Sequence, residues 1–66
     1  MNRVHYNVSG LLNTQIKTQL KNVLNEVDGV HMVNVDLGNG SIEVGYNTAD
    51  ESEIREGIKR VGCKIE

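Results

Sequence analysis

The 66-residue chain contains no proline, no tryptophan and no phenylalanine, and it has a single cysteine. One cysteine excludes an intramolecular disulfide, so the fold is not a disulfide scaffold. It points instead to a reducing compartment, the cytoplasm. The net charge of −2 supplies no electrostatic reason to seek nucleic acid or an anionic membrane. No apolar run approaches the length of a membrane span, so membrane insertion is not expected, and no signal-peptide pattern follows Met1. Low-complexity stretches, linkers and short internal repeats are also missing. A chain this short is read as one domain, residues 1–66, near the lower size limit for folding without staples.

What is present is periodic. In VHYNVSG, Val4, Tyr6 and Val8 alternate with His5, Asn7 and Ser9, the pattern of a half-buried strand. From Asn13 to Val27, Ile16, Leu20, Val23, Leu24 and Val27 share one helical stripe. Asn13 or Thr14 suits the start of that helix, and Asp28-Gly29 its end. In VHMVNVDL, Val33, Val35 and Leu37 lie on one face and Met32, Asn34 and Asp36 on the other. GNG then makes a hairpin turn, because Asn-Gly tolerates positive φ. SIEVGY returns with Ile42, Val44 and Tyr46 inward. In TADESEIREGIKRVG, Thr48 and Glu51 have capping-box spacing, and Ile54, Ile58 and Val61 form a second stripe that Gly62 stops. CKIE is a short last strand.

The element order is therefore β-α-β-β-α-β. Right-handed crossovers fold it into a ferredoxin-like α+β sandwich, a four-stranded antiparallel sheet with both helices on one face. The other face is polar: His5, Asn7, Ser9, Asn34, Asp36 and Glu43.

The run V-x-G-L-L-N-x-x-I-K-x-x-L-x-x-V-L-x-x-V-D-G-V-x-x-V-x-V-D-L resembles the heavy-metal-associated domain of copper chaperones and P-type metal ATPases. That family reads roughly V-x-G-M-T-C-x-x-C, an amphipathic helix, then G-V-x-x-V-x-V-x-L. IEVGYN and IREGIKRVGCKIE resemble its third strand, second helix and last strand. The resemblance covers nearly the whole chain and departs at the metal motif. Asn13 and Ile16 stand at the two cysteine positions, Leu11 at the methionine, and Cys63 at an aromatic position. Soft ions such as Cu(I) need polarizable sulfur; an asparagine amide is a poor ligand for them and an isoleucine is none.

The resemblance implies a core-filling role for Leu11. For Asn13 the residues themselves suggest a helix cap. Ile16 lies in phase with the buried stripe, yet the family cysteine it replaces is reachable from solvent. Leu12 stands at a position that is exposed and polar in the family, so Leu12 and Ile16 form a candidate apolar interaction patch. Cys63, the one soft donor, is expected beside the opening loop, as a small hydrophobe or as a metal ligand. His5 and His31 are expected at the opposite end of the sheet, solvated.

RNA recognition on this topology needs stacking aromatics on the open face, whereas Tyr6 and Tyr46 share the phase of the core valines. Acylphosphatase-type catalysis lacks an arginine in an anion-binding loop after the first strand, and no nucleophile–base pair is visible. No enzymatic activity is expected. Two readings remain. The first is an interaction module without the family metal site and without a cofactor, docking a protein partner or a second copy through the Leu12/Ile16 loop or the edge strand HMVNVDL. The second is a copper or zinc carrier using Cys63, across a homodimer or with a partner's cysteines.

Overall fold

The computed structural model describes residues 2–11 and 13–66. The elements are β1 (Asn2–Ser9), α1 (Thr14–Asn25), β2 (Val30–Asp36), β3 (Ser41–Tyr46), α2 (Glu51–Arg60) and β4 (Lys64–Ile65). The strands form one antiparallel sheet in the order β2-β3-β1-β4. α1 lies over β2, and α2 lies over β4. This is the expected ferredoxin-like sandwich.

Cross-strand pairs carry the period-two pattern through the sheet. Val4 pairs with Val44, which pairs with Val33, and Tyr6 pairs with Ile42, which pairs with Val35. These side chains meet Leu20 and Leu24 of α1 and Ile54 and Ile58 of α2 in a single core, where the four helical residues are fully buried. On the outer face, His5 pairs with Glu43, and Glu43 with Asn34.

Several local expectations are corrected. The helical stripe was expected to run to Val27, but α1 ends at Asn25. The N–H groups of Glu26 and Val27 then bond to Val23 O and Leu24 O, three residues back, so the chain tightens while Val27 still packs on the core. α2 begins with Asp50 as its cap, not Thr48: the Asp50 carboxylate accepts from Ser52 N at 2.9 Å and Ser52 Oγ at 2.8 Å. Thr48 and Ala49 are used elsewhere, against Gly29. A Cβ on Gly29 would lie 2.7 Å from Ala49 N and 2.9 Å from Thr48 Oγ1, and Gly29 has φ +90°. Glycine is thus required there for space as well as for conformation.

The hairpin between β2 and β3 turns at Leu37–Gly40, with positive φ at Gly40 and not at Asn39. Its shape comes from Asp36, whose carboxylate takes the Asn39 N–H at 3.2 Å and the Asn39 side-chain amide at 2.8 Å. Leu37 falls beyond the end of β2 and is half-buried, outside the inward row of the strand. Val61 caps the end of α2 and packs on the core from there.

Candidate loop site

One end of the sandwich gathers the β1–α1 loop, the β2–β3 hairpin and the α2–β4 turn. β1 reaches this end at Ser9, which pairs with Lys64, and Val8 N donates to Gly40 O at 2.8 Å. Gly10 makes the exit from β1 with φ +93°. A Cβ on it would lie 3.1 Å from Gly62 O and 3.4 Å from the Cys63 Cα, so the two loops touch at backbone level. Cys63 is therefore beside the opening loop, as expected.

Asn13 is the N-cap of α1. Its backbone is extended, and its Oδ1 accepts the Ile16 N–H at 3.0 Å. The side chain of Ile16 is half-buried and packs against the core, as does Leu11. The helix phase that aligns Ile16 with Leu20 turns it toward the sheet. Leu12, the other half of the expected apolar patch, lies outside the described residues.

Cys63 is 4% exposed and belongs to the core cluster. Burial pushes its thiol above the ordinary value, which disfavours the thiolate that a soft ion needs. Among the described residues, no group of three or more His, Cys, Asp or Glu side chains converges as a metal cage. His31 sits at the far end of the sheet, its Nε2 3.0 Å from the Asn47 amide. His5 is mid-strand on the outer face, further along β1 than expected.

One contact was missed in the sequence. The Tyr6 hydroxyl donates to Glu51 Oε1 at 3.3 Å, joining β1 to the first turn of α2. Burial, then the Glu51 charge, raises the Tyr6 pKa. The signal was available in principle, since a tyrosine among core valines needs a partner for its hydroxyl. The partner, though, is 45 residues away.

The fold is a βαββαβ sandwich whose first loop stands at a helix N-terminus. The heavy-metal-associated domain model matches residues 5–64, and the chain belongs to that family, one of binding domains and not of enzymes. Among solved structures, the chain is similar to the CopZ metallochaperone, with 27% identity, a TM-score of 0.94 and coverage of 98% of this chain and 100% of that one. It is similar to the CsoZ metallochaperone at 27% identity and TM-score 0.92, covering 98% and 96%. A Bacillus subtilis structure, the N-terminal domain of a potential copper-translocating P-type ATPase in the Cu(I)-loaded state, shares the fold at 21% identity. Its TM-score is 0.88, with 97% and 82% covered. No curated protein matches the chain by sequence.

Among its described residues, the loop offers a soft ion no accessible sulfur donor. The amide of Asn13 is committed to the helix, Ile16 has no donor atom, and the thiol of Cys63 is buried and held protonated.

Proposed function

We propose that this chain is a heavy-metal-associated domain that works as a protein-interaction module in the cytoplasm, with no copper or zinc held by the two-cysteine route. The observation that carries the reading is the Asn13 cap: the first ligand position of the family loop serves the helix. Ile16, partly exposed, leaves apolar surface at the same junction. The lone cysteine fits a reducing compartment. The metal-carrier reading through Cys63 is weighed down by its burial, because a ligand must present its sulfur as an accessible thiolate.

The test is metal competition on the isolated chain, followed by native mass spectrometry. With Cu(I) or Zn(II) at equal concentration and a strong chelator present, the chain should stay metal-free. A one-to-one complex that survives the chelator would overturn the reading, and its loss in Cys63→Ser would assign the ligand to Cys63.

A further inference from the structure

β2 leaves an open backbone edge at one side of the sheet. β2 occupies one end of the sheet order, and its seven residues pair on one side only. The ladder fixes which groups point outward. Val8 N donates to Gly40 O, and Glu66 N donates to Asn7 O on the other side of β1. Alternation along an antiparallel pair then aims Ser41, Glu43 and Gly45 at β2. Their partners Asp36, Asn34 and Met32 face β3, so Val33 and Val35 turn their N–H and C=O groups to the open edge.

The usual guards of such an edge are few. Between His31 and Asp36 there is no proline and no lysine. The single charge, Asp36, is at the strand end with its carboxylate engaged by Asn39. A register shift between Val30 and Met32 blunts only the other end.

The helix above the edge adds a charge signature. α2 lies on the Val23 side of α1, since a Cβ on Gly57 would come within 3.1 Å of Val23 Cγ1. At about 100° per residue, Lys21 is roughly 160° around the helix from Val23, and Lys17 shares its side. With Leu20 and Leu24 buried, Lys17 and Lys21 occupy the flank away from α2, above the β2 edge, and both are half-buried. A second copy related by a two-fold axis would set lysine against lysine across the new pairing. An extended segment with carboxylates on its helix-side face meets opposite charge instead.

We propose that the β2 edge binds an acidic extended segment of a partner protein, added as a fifth strand that pairs with Val33 and Val35 while its Asp or Glu side chains meet Lys17 and Lys21. β-strand addition draws affinity from main-chain bonds and selectivity from alternate side chains. The proposal rests on the interaction-module reading but involves no metal ligand, so peptide binding and metal uptake fail separately.

The probes are a seven-residue peptide of alternating valine and glutamate and its valine–lysine counterpart. The readout is amide exchange of the isotopically labelled chain, resolved by residue. In the free chain the Val33 and Val35 amides, unpaired at the edge, should exchange quickly. The glutamate peptide should protect both, less so as salt rises, and the lysine peptide neither. Lys17→Glu with Lys21→Glu changes two half-buried side chains outside the core cluster; it should weaken the glutamate peptide by about tenfold and favour the lysine peptide. Equal binding of both peptides, or no protection at Val33 and Val35, would overturn the proposal. Protection that instead rises with the concentration of the chain alone would assign the edge to a second copy and overturn it too.

Discussion

The amide of Asn13 has one task that can be measured. By accepting the Ile16 N–H it satisfies a donor that the first turn of α1 leaves free. Asn13→Ala should lower stability by about 1 kcal/mol, read from the denaturation midpoint at constant slope, and Asn13→Asp should restore most of it. Cys63 makes a second case. Its raised pKa means that the folded state holds the proton more tightly than the unfolded chain. The associated stability is fully present below the ordinary thiol value of 9.0 and is lost as pH rises through the folded-state value. Tyr6, raised from 10.0, adds to the same alkaline loss. Stability should therefore fall above about pH 9, and the fall should start later in Cys63→Ala. At neutral pH a bulky disulfide reagent should react with Cys63 far more slowly than in denaturant; equal rates would show that the thiol is not buried.

Among the elements, α1 and α2 come close at Gly57. Gly57 is buried, and a Cβ there would lie 3.0 Å from Leu24 Cδ2 and 3.1 Å from Val23 Cγ1. Glycine costs α2 about 1 kcal/mol in helix propensity, and the close approach of the helices explains its presence. Gly57→Leu has no room against the fully buried Leu24 and should destabilise by at least about 1–3 kcal/mol, the usual range for overpacking. Leu24→Ala and Ile58→Ala empty the same interface from opposite helices. Each should cost about 2–5 kcal/mol, enough to leave a domain of this size largely unfolded. Unchanged denaturation midpoints would refute the packing described.

The periodicities that placed Leu24 and Ile58 inside were readable in the sequence, because faces follow from spacing alone. The caps were less so. Thr48 followed by Glu51 has the spacing of a helix start, but the structure caps α2 with Asp50 while Thr48 lies against Gly29. The hairpin keeps the positive φ at Gly40 of the Asn-Gly pair that marked it, and adds a side-chain bond from Asn39 to Asp36 that spacing does not show.

For the whole molecule, the sandwich of the heavy-metal-associated family is kept while the donor atoms of its loop are replaced. The single cysteine leaves no two-cysteine motif in the sequence, and the resemblance puts Asn13 and Ile16 at the cysteine positions. For Cys63 the sequence left a small hydrophobe and a metal ligand open, and the structure buries it where the α2–β4 turn closes over the core beside Gly10. No helix among the described residues is long and apolar enough to cross a membrane. The loop still stands at a helix N-terminus, which stabilises thiolate. Two cysteines at positions 13 and 16 would place both sulfurs at that terminus. The measurement is therefore Cu(I) titration against a competing chelator for Asn13→Cys with Ile16→Cys and for the parent chain, side by side, with folding checked by circular dichroism. The folded double variant should take one Cu(I) from a chelator that the parent cannot strip. Equal uptake by the two, or a folded variant that gains nothing, would contradict the claim that only the ligands separate this chain from a metal carrier.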